Sequence, residues 1–226
     1  MDEKKNYQKL EKWAYELEFS LFGAADIRSI KEEFNLSQRV KDKFDRALSL
    51  GKRLLDSVID DIIDHPTPLY FHHYRQVNYF LDRAAFQLAS RIQDQGYQAL
   101  PIAASQTIDW ENQQGHVSHK KIGELAGLGW IGRHNLLVNP KMGSRFRLVS
   151  VLTDIPLPPD EPLGFGCGEC RECLDSCPAR AIGEKLQDFD HRGCFEKLKE
   201  FKKIRYVGQY ICGVCVKACS GPLNKV

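Results

Sequence analysis

Cysteine is missing from the first 166 residues of this 226-residue chain. A disulfide framework for that stretch is excluded, and thiolate chemistry with it. Long apolar runs are missing too. None approaches the roughly 18 residues that a membrane span needs, so no membrane-spanning protein is expected. Charge of one sign is not in excess: 32 Lys+Arg stand against 30 Asp+Glu, a formal net charge of +2. That balance speaks against a strongly cationic nucleic-acid binder and against an acidic disordered tail. The opening residues, Met1-Asp2-Glu3-Lys4-Lys5-Asn6, form no apolar signal-peptide core, so the expected location is the cytoplasm.

What is present is a chain with 42% hydrophobic residues, enough for one good core or one domain with a small appendage. Tyr7, Leu10, Trp13, Ala14 and Leu17 recur at helical spacing and predict a helix over Lys4–Glu18. Leu21–Ile27 follows as a short buried strand. Helix-favouring sequence from Ser37 to about Ile63 is expected to end at Pro66 and Pro68. The strongest helical stripe runs from Arg75 to Gln95, through Val77, Phe80, Leu81, Ala84, Ala85, Leu88 and Ile92, and Gly96 closes it. Tyr97–Ile102 reads as a strand. Leu136–Val138 and Phe146–Leu152 read as strands flanking Asn139-Pro140-Lys141-Met142-Gly143, a hairpin signal. Ile155–Gly166, with four prolines and two glycines, is the expected linker. The expected organisation is therefore α+β: an α/β sandwich-like domain over 1–154, a linker over 155–166, and a cysteine module over 167–226.

All eight cysteines fall between Cys167 and Cys219. In a chain with no secretory address they read as metal ligands rather than disulfides. Cys167, Cys170, Cys173 and Cys177-Pro178 form a C-x2-C-x2-C-x3-C-P run, the pattern of a two-cluster [4Fe–4S] ferredoxin, in which the fourth cysteine ligates the other cluster. Cys212, Cys215 and Cys219 repeat the last three positions of that run, with Gln209 where a first cysteine would stand. Cys194 is the one left unassigned. The count closes if Cys167, Cys170, Cys173 and Cys219 hold one cluster and Cys177, Cys194, Cys212 and Cys215 the other. Two structural zinc sites are the competing reading, since paired C-x2-C knuckles also bind zinc. Zinc sites, however, seldom use three cysteines at +3 and +6 with a fourth before proline.

Gly127-Leu128-Gly129-Trp130-Ile131-Gly132 matches G-x-G-x-x-G, but a dinucleotide site needs a strand before the glycines and a helix after them. Here Lys120–Ala126 looks helical and the residues after Gly132 run into a strand. The expected role is a tight loop that permits close backbone approach, with Trp130, Arg133, His134 and Asn135 available beside it. Two further stretches are candidates. Tyr70-Phe71-His72-His73-Tyr74-Arg75 could line a pocket mouth or be a solvated helix entrance. Lys197, Lys199, Lys202, Lys203 and Arg205, with Phe201 and Tyr206, could meet tRNA phosphate or an acidic redox partner, or form a solvated helix face.

Glu124-Leu125-Ala126-Gly127-Leu128-Gly129-Trp130-Ile131-Gly132-Arg133-His134-Asn135, then Gly143-Ser144, then the eight cysteines in that order, closely resemble the epoxyqueuosine reductase family. More distantly the layout resembles corrinoid reductive dehalogenases. The resemblance covers residues 117–226. It implies two [4Fe–4S] clusters, a cobalamin near Gly129, Trp130, Gly132, Arg133 and Asn135, an electron donor such as a ferredoxin or flavodoxin, and a modified tRNA as substrate. The chain departs from the family at Gln113, where the resemblance implies a proton-donating aspartate, with Asp109 and Glu111 as nearby acids. It departs also at Gln76-Val77-Asn78 and at Ser220. The expected function is a reductase fed by two clusters; the alternative is a non-catalytic ferredoxin-like carrier with a partner-docking domain.

Overall fold

A computed structural model describes residues 2–224; Met1, Lys225 and Val226, at the ends of the expected first and last domains, lie outside them. Helix α1 (Glu3–Glu16) starts where the Asp2 carboxylate accepts the Lys5 N–H at 3.2 Å. It buries Leu10 and Ala14 and packs on strand β1 (Leu21–Asp26). The Ser37–Ile63 stretch is not the helix its composition suggests. Only two four-residue helices form, α2 (Gln38–Lys41) and α3 (Asp56–Ile59), with strand β2 (Arg46–Arg53) between them. Residues 47–51 of β2 are all buried, so both of its faces are covered. Such a strand shows no alternation of polar and apolar residues from which sequence could recognise it.

The long helix α4 (Pro68–Asp94) begins seven residues before Arg75. Pro68 stands at its first position, where a missing N–H costs nothing, and the Thr67 hydroxyl accepts the Tyr70 N–H at 3.1 Å. The proline expected to end a helix starts one. Strand β3 (Ala99–Ile102) and helix α5 (His119–Leu125) follow, then β4 (Trp130–Ile131), β5 (Leu137–Val138) and β6 (Phe146–Thr153). Strands β1, β2, β6 and β3 lie in that order in one sheet, with β1–β2 and β3–β6 antiparallel. The Asn139–Gly143 turn forms, with reciprocal backbone bonds of 2.8 and 2.9 Å. Yet β5 pairs back onto β4, and β6 leaves for the larger sheet, so the expected hairpin is split. Three short or medium helices complete the chain: α6 (Glu172–Ser176), α7 (His191–Lys203) and α8 (Val214–Ala218). The mixture of helices and antiparallel sheet is an α+β fold.

Two compact units result, and each is discontinuous in sequence, whereas composition suggested one cut at 155–166. The first takes the residues up to Lys52, Asn78–Leu128 and Arg147–Leu163. Its core is built from the sheet and from Leu10, Leu48, Leu50, Leu81, Leu88 and Val151, all fully buried. The second takes Arg53–Val77, Gly129–Phe146 and the chain from Gly164 onward. Local chemistry explains why Arg53–Val77 joins the cysteine segment. Arg145 Nη1 lies 3.1 Å from both Asp56 and Asp60, while its Nη2 donates to the Lys217 carbonyl at 2.8 Å. Lys217 Nζ donates in turn to the Asp60 and Ile62 carbonyls. Gly213, at φ +89°, lets the backbone touch Tyr70 and Ile62; a Cβ there would sit 2.6 Å from the Tyr70 ring. No helix among the described residues is long and apolar enough to cross a membrane.

Candidate metal centre

The cysteine segment coils back on itself because α6 and α8 pack together, which brings Cys173 and Cys219 to one place. No disulfide joins any of the eight thiols. Instead they separate into two neighbourhoods. Burial, and then the charges of Cys219, Cys167 and Cys170, push the Cys173 thiol up to about 12. Cys167, Cys170, Cys173 and Cys219 also line one cavity of about 50 Å³. That is several times the ~10–15 Å³ that a single water occupies by the same measure. In the other neighbourhood, burial and then Cys177 push Cys194 up to about 11. Burial likewise raises Cys212 to about 12, with Cys194 and Cys177 adding to it and the Val214 N–H opposing. Cys215 is driven well above its ordinary value by burial and then by Cys212, Cys194, Cys177 and Cys173.

Thiols this crowded and this dry do not ionise beside one another unless a cation compensates them. A cationic iron cluster is such a partner, and the donor set is the one that a cubane takes. Among the described residues, no three His, Cys, Asp or Glu side chains converge closely enough to be recognised as a single-ion site.

The glycine-rich loop forms a wall of the first neighbourhood. Trp130 Nε1–H donates to Cys167 Sγ at 3.3 Å, and Gly166 lies against the indole, where a Cβ would stand 2.7 Å from the ring. Arg133, 9% exposed, spends its guanidinium on three carbonyls of the cysteine segment: Glu184 at 2.5 Å, Cys170 at 2.9 Å and Gly168 at 2.6 Å. It holds the loop between Gly168 and Cys170 in shape and sets a permanent positive charge beside the thiolates. Gly129 and Gly132 lie against Val138; a Cβ on Gly129 would come within 2.0 Å of the Val138 carbonyl. Asn135, at φ +61°, turns the β4–β5 hairpin by donating its N–H to the Gly132 carbonyl at 2.9 Å. These five residues thus serve the hairpin and the cysteine loop. Helix α5 precedes the glycines and β4 carries Trp130, so no dinucleotide-binding turn is formed.

Two contacts escape sequence reasoning. Gly143, at φ +59°, lets the Asn139–Gly143 turn press on Cys219, whose carbonyl oxygen would be 1.9 Å from a Cβ at that position. Ser144 donates its N–H to the Cys219 carbonyl at 3.0 Å. Its buried hydroxyl faces the Cys219 sulfur, and the two Ser144 groups work against the upward push of burial on that thiol. Nothing in the local sequence around Gly143-Ser144 announces a neighbour 76 residues away. The remaining candidates lie elsewhere. His72 and His73 stand in the first turns of α4, where His73 Nε2 accepts the Leu55 N–H at 3.1 Å and burial holds its pKa down. Asn78, buried, accepts from Arg147 Nε at 3.1 Å. Gln113 is partly exposed at φ +56° and donates to the Trp110 carbonyl. The Asp109 carboxylate accepts from the Asn112 side chain and from the Asn112 and Glu111 N–H groups, which holds it below the usual carboxylate range.

No family model matches the chain. Among curated proteins it is 37% identical over 118 residues to the epoxyqueuosine reductase of Aliivibrio fischeri, covering 48% of this chain and 31% of that protein. It is 44% identical over 82 residues to the epoxyqueuosine reductase of Escherichia coli, covering 36% of this chain and 21% of that one. The matched stretch is thus under a third of either relative's length. By fold, it superposes on a catabolic reductive dehalogenase solved with 3-bromo-4-hydroxybenzoic acid, with a TM-score of 0.77 at 20% identity over 95% of this chain and 31% of that one. The epoxyqueuosine reductase of Streptococcus thermophilus gives 0.66 at 19% identity, over 97% of this chain and 66% of that chain. An epoxyqueuosine reductase solved with an epoxyqueuosine-modified tRNA-Tyr stem loop gives 0.61 at 17% identity, over 99% of this chain and 66% of that chain. Over about half of its length the chain resembles the epoxyqueuosine reductases in sequence, and it shares their fold.

Proposed function

We propose that the chain is an iron–sulfur oxidoreductase that binds two [4Fe–4S] clusters, one on Cys167, Cys170, Cys173 and Cys219 and one on Cys177, Cys194, Cys212 and Cys215. It would use them in a reductase reaction of the epoxyqueuosine reductase kind, passing electrons to a corrinoid and on to a substrate. The observation that carries this reading is the gathering of Cys167, Cys170, Cys173 and Cys219 round one cavity, with Cys177, Cys194, Cys212 and Cys215 near enough to one another to interact. The clusters would supply low-potential, one-electron transfer. The chain's own residues would hold them: Arg133 shapes the first loop, Trp130 donates to Cys167, and Ser144 steadies Cys219. Hydrogen bonds to cluster sulfur and nearby positive charge are the levers by which protein tunes such a centre.

The resemblance implies a cobalamin near Gly129, Trp130, Gly132, Arg133 and Asn135, of which Trp130 and Arg133 also bond to the cysteine segment. The corrinoid and its place beside these residues are proposed from that resemblance and from likeness of fold, including likeness to a dehalogenase whose structure suggests a B12-dependent mechanism. A modified tRNA is the leading substrate, since one neighbour in fold was solved with such a stem loop. A second reading is favoured by one observation: Gln113 stands where the resemblance implies an acid, and nearby Asp109 is tied up as a carboxylate. On that reading the chain is an electron carrier with a docking domain.

Anaerobic titration with cob(II)alamin separates the two. The reductase reading predicts saturable binding with a spectral shift to the form lacking its lower base. An unchanged cobalamin spectrum at high protein concentration would contradict it and leave the carrier.

A further inference from the structure

Helix α7 carries more positive charge than the whole chain does. Between His191 and Arg205 six basic residues stand against Glu196 and Glu200, a local net charge of +4 where the entire chain has +2. The same helix carries Cys194, one of the second cysteine group.

Lys197, Lys199 and Lys202 are held in place rather than waving in solvent. Lys199 Nζ sits 4.6 Å above the Phe195 ring and 2.7 Å from Glu196; Lys202 Nζ sits 4.3 Å above the Tyr210 ring. At the end of the helix Ile204 and Tyr206 are 48% and 40% exposed, and His65 stacks on Tyr206 at 4.0 Å. An apolar centre with a rim of fixed cations is the anatomy of a protein-docking patch. Glutamates interleaved among the lysines and an exposed isoleucine suit an acidic protein better than a row of phosphates.

We propose that this face, centred on Ile204 and Tyr206 and rimmed by Lys199, Lys202, Lys203 and Arg205, docks an acidic one-electron carrier protein that reduces the second cluster. The inference rests on the cluster reading above. Docking brings the donor's redox group over the helix that supplies Cys194. With a flavodoxin as donor, its anionic hydroquinone gives up one electron and no proton to become the neutral semiquinone. The accepted electron takes the cluster core from the 2+ to the 1+ state.

The test is stopped-flow reduction of the anaerobic, iron-loaded protein, followed by bleaching near 400 nm. The donor is flavodoxin hydroquinone, and photoexcited deazariboflavin, small and uncharged, is the control. The Lys199→Gln/Lys203→Gln variant changes two exposed side chains and should keep its iron. It is expected to lose about tenfold in the flavodoxin rate at low ionic strength and nothing in the deazariboflavin rate. Raising salt should slow the unsubstituted protein toward the variant. Equal flavodoxin rates for the two proteins, or a loss confined to binding of a tRNA transcript, would overturn the docking face and leave the clusters standing. A preparation without iron would overturn the cluster reading and the docking face together.

Discussion

At the scale of the residue, the cysteines are legible because ligand spacing is local: x2, x2, x3 and a proline are visible in twelve consecutive positions. Arg133 and Ser144 are not, because what they touch lies 35 to 75 residues away in the chain. Gly143 tests the long-range part. Its positive φ and the 1.9 Å approach to the Cys219 carbonyl leave no room for a methyl group. Gly143→Ala should displace Cys219 and release about four of eight irons per chain, with the second cysteine group spared; iron analysis beside the unsubstituted protein reads it directly. His119 offers a separate test, far from the thiols in sequence. It is part-buried, donating Nε2–H to the Ala103 carbonyl at 3.0 Å and accepting the Ser150 hydroxyl at Nδ1 at 2.8 Å. Burial pulls its pKa down to about 4, against an ordinary 6.5. Between those values the unfolded chain binds a proton that the folded one refuses. Stability from this group is complete above pH 6.5 and is lost as pH falls, by roughly 3 kcal/mol at pH 4. Denaturant midpoints measured from pH 7 to pH 4 should fall more steeply for the unsubstituted protein than for His119→Gln.

At the scale of the element, helices with one apolar stripe were readable and the central strand was not. Lys4–Glu18 and Arg75–Gln95 both lie largely within observed helices, since amphipathic periodicity is a consequence of facing water on one side. Strand β2 faces water on neither side over residues 47–51, so its sequence shows composition without period. The same burial makes it costly to disturb. Leu50→Ala, at a fully buried position, should lower unfolding free energy by about 2–5 kcal/mol. Thr67→Ala, which removes only the cap on α4, should cost about 1 kcal/mol. Chemical denaturation of the two variants side by side distinguishes the core contribution from the cap. A Leu50 effect no larger than the Thr67 effect would contradict the place given to β2.

At the scale of the whole molecule, the α+β class was legible, while the partition of the chain into units was not. Proline and glycine content marks 155–166 as a linker. Charge pairs of Asp56 and Asp60 with Arg145, and the contact of Gly213 with Tyr70, draw Arg53–Val77 and Gly129–Phe146 into the unit that holds the cysteines. Tertiary pairing of this kind has no local signature. The proposed division of ligands between two centres also belongs to this scale, because it sends Cys177 and Cys219 each to a group remote from their nearest cysteine neighbours in sequence. Cys194→Ala should therefore empty the second centre and leave Cys167, Cys170, Cys173 and Cys219 loaded, halving the iron while keeping a cluster signal on reduction. The most direct measurement is the iron and acid-labile sulfide content of the anaerobically purified chain, read with its absorbance near 400 nm. Two cubane clusters predict about eight irons and eight sulfides per chain with that band present; stoichiometric zinc with no such band would contradict the account at its centre.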